Sequence, residues 1–235
     1  MYTVLCISCH PDDMEIACAG TLAKCVKRGD RVVVCHASSG NLGHVIIPPD
    51  ELVEIRAKEA ERSAEMAGFE IIHSRFDDLE IYDNNKEARD KVVDVIKQVN
   101  PDFIITHSPT DYMPDHLEVQ KMVFSACFVA SCPQYYPSEH KASKVTPIYY
   151  MDNLAGMKFE PTMYVDITDE IELKLQMLEC HESQIKWLYD HDGCDILDDV
   201  RTMSRLRGIQ CSRKYAEGFR VCRTGSRNTA ERLLP

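Results

Sequence analysis

Short runs of apolar residues alternate along this chain with stretches in which apolar residues return every three or four positions. Thr3–Ser8 (TVLCIS) and Arg31–His36 (RVVVCH) read as buried strands, and the helix expected between them runs to about Arg28 and is stopped by Gly29. A strong helical pattern begins near Asp50 and reaches Ala67, with Gly68 where a left-handed residue commonly ends a helix. EIIHSRF supplies a third strand. Ala88, Val92, Val95, Ile96 and Val99 recur at helical spacing before Pro101, and DFIITHS gives a fourth strand, followed by a helix from about Asp115. This alternation builds a mostly parallel sheet with helices on both faces, a Rossmann-like α/β fold.

Beyond Ser131 the pattern loosens into CPQYYPSEHKASKVTP, then strands at Pro147–Met151 and Met163–Asp166 and helices at Thr168–Cys180 and about Asp198–Tyr215. No internal repeat, low-complexity tract or rich linker interrupts the 235 residues, so one α/β domain with an irregular C-terminal third is expected over 1–235.

The composition, 44% hydrophobic and 28% charged, is that of an ordinary globular protein. No apolar run approaches the ~20 residues that span a bilayer. The opening lacks a basic region, and His10, Asp12 and Asp13 interrupt its apolar stretch, so no signal peptide and a cytoplasmic location are expected. A net charge of −11 argues against nucleic-acid binding. The nine Lys and Arg from Arg201 onward, against Glu217 and Glu231, follow a loop holding Asp190, Asp192, Asp195, Asp198 and Asp199; these blocks are expected to pair within or between subunits. The alternative is that some of the arginines hold an anionic group of a substrate.

Cys6 to His10 spells C-x-x-C-H, the pattern of a haem attachment site or, in its cysteines, of a redox pair. Residues three apart on a strand point to opposite faces, so Cys6 and Cys9 should diverge. In a reducing compartment the 11 cysteines behave as small buried hydrophobes.

The same stretch also reads H-P-D-D. Ligands of open α/β sheets bind beyond the carboxyl ends of the strands, and there His10–Asp13 follows the first strand while His107–His116 follows the fourth. Both should open on one edge. If the chain turns into a helix at Pro11, His10 and Asp13 share a face, and His116 could supply a third ligand from across the crevice. Two imidazoles and a carboxylate suit catalytic zinc, and also Fe(II) or Mn(II). Asp12 beside them is either a general base or the cap of the next helix, and spacing alone does not separate the two.

At this point the residues resemble the PIG-L/LmbE family of zinc-dependent de-N-acetylases. CHPDDMEIACAGTLAK is similar to its opening, SSGNLG to its glycine loop, EIRAKEAERSAEMAG to its Arg-bearing helix and PTDYMPDHLEV to its second metal motif. CHESQ and RLRGIQCSRKYAEGFR resemble later segments. The resemblance implies His10, Asp13 and His116 as zinc ligands, Asp12 as general base, and hydrolysis of an acetamide on an N-acetylglucosamine-type sugar or glycoside by metal-bound water. It places Arg56 on the substrate side, where the bottom-up alternative is a surface ion pair with Glu59 or Asp50. Characterised members often read H-P-D-H, their first histidine donating to the oxyanion; here Met113 stands in its place and cannot donate. Tyr112, His181 or Arg56 would then take over that role or bind substrate, and Asp115 would orient a ligand or an active-site partner. His36, His73, His140 and His191 are expected to be structural, His44 to lie in a loop that could line the pocket, and Tyr135 and Tyr136 to be capable of stacking on a sugar. The family also implies a homo-oligomer. Rival readings are an amidase for a larger N-acyl or thiol-conjugate amide, and a non-catalytic sugar- or nucleotide-binding module with a structural metal.

Overall fold

The computed structural model describes residues 1–135 and 139–235; Tyr136 lies outside them. Its core is one seven-stranded sheet of β1 (Thr3–Ser8), β2 (Arg31–Ser38), β3 (Glu70–Phe76), β4 (Phe103–Thr106), β5 (Ile148–Met151), β6 (Met163–Asp166) and β7 (Ala216–Val221), in the order β3-β2-β1-β4-β5-β7-β6. The first five strands pair in parallel, and β7 runs antiparallel to both β5 and β6. The mostly parallel Rossmann-like α/β architecture expected from the alternation is thus what the chain adopts. Strand order reverses at β1, which has β2 on one side and β4 on the other, so the crevice beyond β1 and β4 is the switch point of the sheet.

Alternate residues of β1 feed two cores. Val4 and Cys6 join one beneath α1 (Asp13–Ala17), α2 (Ala19–Lys27) and α6 (Ile171–Glu179), while Leu5 and Ile7 join another beneath α4 (Lys86–Val99) and α5 (Pro114–Ala130). Cys9 belongs to the second core and Cys6 to the first, so the C-x-x-C pair faces opposite ways and neither redox nor haem chemistry has a paired site there. The remaining helices are α3 (Pro49–Ala67), α7 (Glu182–Trp187), which runs into a wider turn at Leu188–Asp192, and α8 (Ile196–Gln210). Among the described residues no helix is long and apolar enough to cross a membrane.

Three differences from the sequence reading trace to two residues, Glu217 and Gly208. The first helix is broken at Cys18, β7 is a strand that the pattern concealed, and α8 ends at Gln210 rather than Tyr215. Glu217 of β7 accepts hydrogen bonds from the backbone N–H groups of Gly20 and Thr21 at 3.0 and 2.7 Å and pairs with Lys174 at 2.6 Å. It therefore caps the start of α2, where helix N–H groups have no partner of their own. A buried Glu and a glycine under Pro161 make AEGFRV look like a loop. Gly208 allows α8 to turn back: a Cβ there would lie 2.7 Å from the Lys214 carbonyl oxygen.

Within the chain the basic C-terminal segment does not pair with the acidic loop as a block. Arg201 binds Glu172, Arg207 binds Asp152 and Arg213 meets Asp166, while Asp195 caps α8 and Asp190 pairs with Lys186. Both partners of the Lys174–Glu217 pair are buried, and truncating one leaves the other charge uncompensated. Glu217→Ala should therefore cost about 3–5 kcal/mol in urea unfolding, with Lys174→Met/Glu217→Leu losing clearly less.

Candidate metal centre and active-site pocket

The ends of β1 and β4 bring the two polar clusters together. His10 Nδ1 lies 3.3 Å from His116 Nε2 and 3.4 Å from Asp13 Oδ2, and His116 Nε2 lies 3.2 Å from Asp13 Oδ1. A four-coordinate zinc with bonds of about 2.0–2.2 Å has ligand atoms roughly 3.3–3.6 Å apart. The spacing and the donor chemistry of this trio therefore fit one small divalent cation. Asp13 is further fixed because its Oδ2 accepts the backbone N–H of His10 at 2.6 Å. Burial alone would drive Asp13 and His116 to their neutral forms. Instead His116 and His10 hold Asp13 well below the usual carboxylate range, and Asp13 with Asp111 lifts His116 to about 9 against the opposing effect of His10.

Both imidazoles are backed by carboxylates. Asp115, which accepts the Leu79 N–H at 2.9 Å, lies 3.5 Å from His10 Nε2, the nitrogen turned away from the trio. Asp111 lies 3.2 Å from His116 Nδ1. Such partners set which ring nitrogen is free to coordinate. Asp115 was singled out in the sequence; Asp111, Asp78 and the role of His107 were not. Asp78 Oδ1 sits 3.9 Å from His10 Nε2, while its carboxylate also binds Ser38, Gly40 N and Leu42 N. It follows β3, so the rule that pointed to the ends of β1 and β4 would have found it too.

His107 is a competing donor, 3.3 Å from Asp13 Oδ2 and stacked on His116 with ring centroids 3.8 Å apart. Its Nε2, however, accepts the Cys9 N–H at 2.8 Å, so the lone pair that would bind a cation is occupied. His107, fixed by Cys9, stacks on His116 and so holds its ring in place.

Asp12 occupies the residue before α1 but makes no side-chain cap bond, which removes the capping alternative. Its backbone has φ 123° and ψ −24°, a left-handed conformation that side chains rarely adopt and that costs ~1–3 kcal/mol. Arg56 stabilises this geometry from α3. Its Nη2 donates to the Pro11 carbonyl at 2.5 Å and lies 3.2 Å from Asp12 Oδ2, and Nη1 donates to the Gly40 carbonyl at 3.2 Å. Arg56 is buried beside the pocket, so the surface pair with Glu59 or Asp50 does not form. Gly40, at φ 71°, is required there: a Cβ would come within 2.4 Å of Arg56 Nη1. Burial, opposed by Arg56, pushes Asp12 up to about 6.

His10, Asp12, Asp13, Arg56, Asp78 and Asp115 line a cavity of about 340 Å³ together with Leu42, Tyr112, Met113 and Gln184, while His107, Asp111 and His116 line a small adjoining recess that shares Asp13 and Tyr112 with it. His181 is not among its lining residues, which corrects its assignment to the substrate side. It is fully buried, 3.1 Å from Glu15 Oε1, and Glu15 also accepts the Ser63 hydroxyl at 2.5 Å. Burial opposes charge on both, yet their contact holds Glu15 down to about 2 and raises His181. Tyr135 is likewise elsewhere, against Lys86 and Arg89. His44 and His191 line a neighbouring groove rather than this cavity, while His36 and His73 stack on each other within the sheet.

Fold and donor geometry together define an α/β protein of Rossmann-like topology with a candidate metal centre at its switch point. The family model described as PIG-L, GlcNAc-PI de-N-acetylase, matches residues 5–127, and the chain belongs to this family. It is 30% identical to the diacetylchitobiose deacetylase of Thermococcus kodakarensis over 92% of this chain and 82% of that protein. It is 26% identical to the 4-oxalmesaconate hydratase of Pseudomonas putida over 92% and 88%. The solved N,N'-diacetylchitobiose deacetylase from Pyrococcus horikoshii matches with a TM-score of 0.82 at 26% identity, covering 94% of this chain and 84% of that one.

The two candidate donor sets make different demands on single variants. His116→Ala should abolish stoichiometric Zn²⁺ binding in calorimetry, whereas His107→Ala should weaken it only about 10–100-fold. The reverse order would transfer the ligand role to His107.

Proposed function

We propose that this chain is a metal-dependent de-N-acetylase that hydrolyses the acetamide of an N-acetylated sugar or glycoside of the N-acetylglucosamine type. The observation that carries the reading is the convergence of His10, Asp13 and His116 on one point, with the uncapped carboxylate of Asp12 lining the same cavity as His10 and Asp13. His10, Asp13 and His116 would hold the ion, zinc by donor type, with Fe(II) or Mn(II) accommodated by the same atoms. Bound zinc lowers the pKa of water from 15.7 to about 7 and polarises a carbonyl oxygen.

The protein's own groups supply the proton transfer. Asp12 would take a proton from the attacking water and return it to the departing amine, so that amide and water become acetate and a free amine. Arg56 keeps the Asp12 carboxylate turned into the cavity, and its strained backbone keeps it off the helix N-terminus. Met113 lines the same cavity and has no proton to donate, and with both Nη groups of Arg56 engaged by Asp12 and two carbonyls, the hydroxyl of Tyr112 is the lining side chain we assign to the developing oxyanion. Diacetylchitobiose deacetylases, the relatives at 30% identity in sequence and at TM-score 0.82 in structure, support the substrate class.

The hydratase relative supports a second reading, addition of water to an unsaturated carboxylate. The charge of the cavity favours the first. Asp12, Asp13, Asp78 and Asp115 line it, and Arg56, the one Lys or Arg among the described lining residues, is already engaged by Asp12 and two carbonyls. A neutral acetamido sugar meets no repulsion there, whereas a polyanion meets several like charges.

Acetate release from N-acetylglucosamine glycosides should require metal, disappear on chelation and return with Zn²⁺. Asp12→Asn should retain the metal and lower kcat by about 10²–10⁴-fold. Full turnover by that variant would remove Asp12 from the reaction, and hydration of an unsaturated dicarboxylate without any acetate release would favour the second reading.

A further inference from the structure

We propose that the groove between loop residues 44–47 and α7 is a second binding site, which takes an apolar aglycone of the sugar whose acetamide is cleaved next door. The inference rests on the de-N-acetylase reading for the identity of the sugar, but the groove itself stands on independent observations. It encloses about 550 Å³, in the size range of small-molecule sites, ~300–1,000 Å³.

Its position ties it to the catalytic cavity. Gly43 and Gln184 line that cavity, their neighbours His44 and Ser183 line the groove, and Gln184 Nε2 donates to the Gly43 carbonyl at 3.2 Å across the shared wall. The catalytic cavity, at about 340 Å³, admits little more than one N-acetylhexosamine. Whatever the sugar carries must leave it, and the groove is the adjoining space.

The lining indicates what is carried. Val45 and Ile46 are 63% and 82% exposed, and with Ile47, Ile55 and Trp187 they form an apolar surface left open to water. The polar groups beneath are already committed. Both carboxylate oxygens of Glu59 accept from Ser183, backbone and hydroxyl, at 2.8 and 2.7 Å, and Lys186 is paired with Asp190. A second sugar ring would find few free partners for its hydroxyls; an alkyl or aryl group needs none. The His191 ring stacked on the Trp187 indole at 4.8 Å makes this end of the groove aromatic.

Trp187 is the only tryptophan in the chain, so its fluorescence reports on the groove without requiring turnover. Methyl and n-hexyl N-acetyl-β-D-glucosaminide share one sugar and differ only in the alkyl chain. Each methylene buried in the groove raises affinity by up to about four-fold. The n-hexyl glycoside should therefore alter Trp187 emission and bind at least ~10-fold more tightly than the methyl glycoside, and Ile46→Asp, on an exposed loop residue, should erase that preference. Equal affinities, or emission insensitive to the hexyl glycoside, would overturn the inference. So would emission that shifts with protein concentration in the absence of ligand, since a second copy of the chain would then be covering the groove. Preferential hexyl binding without acetate release from either glycoside would uphold the groove and count against the de-N-acetylase reading alone.

Discussion

The carboxylate of Asp13 is the joint on which the site depends. It accepts the His10 N–H, faces both His10 and His116, and is flanked by His107, so one side chain connects the segment after β1 to the segment after β4. Those segments are 106 residues apart at His10 and His116, and the sheet is what brings them together: β1 and β4 are parallel neighbours at the point where strand order reverses. Four ionisable groups in so small a buried volume are costly unless opposite charges compensate one another. On the proposed reading, a divalent cation at the convergence of three of them would supply that compensation.

Behind this joint a second layer of buried polar contacts fixes the neighbouring residue. Arg56 holds Asp12 in a backbone conformation that it would not adopt alone, and Gly40 gives the guanidinium room. Beneath lies the Glu15–His181 pair, which links α1 to the start of α7 through two fully buried groups. Glu217, capping α2, sets the break at Cys18 that keeps α1 short. The strain at Asp12 is thus sustained by contacts from α3, α7 and β7, which are remote in sequence and rigid in the fold.

This layering explains what could be read from the chain in advance. The parallel strands and their helices were legible because their apolar periods are long and clean, and the His10, Asp13 and His116 cluster because polar residues after strands in an α/β alternation have few other places to converge. Strand β7 was hidden because its core-facing residues include Glu217, which looks exposed until Lys174 and the α2 N-terminus are seen around it. His181 was misplaced for a related reason. The CHESQ segment points to a substrate-side histidine, and only the fold reveals Glu15 as its buried partner. Asp111 and His107 stood within a segment already marked as chemical, but their parts depend on which ring nitrogen each imidazole presents, a property of three-dimensional contact and not of spacing.

Met113 then has a structural meaning beyond the loss of a donor. An apolar residue at the mouth of a cavity lined by Asp12, Asp13, Asp78 and Asp115 avoids adding a further titrating group to an already crowded electrostatic system. It lies beside the exposed side chains of Tyr112 and Leu42 in the lining of that cavity, and the neighbouring groove likewise presents an exposed apolar residue, Ile46. The floor of the cavity is acidic and its exposed side chains are apolar. On the proposed reading a substrate would present its neutral amide to the acidic floor and its least polar part to those side chains, an orientation that avoids both like-charge contact and buried unpaired polar atoms.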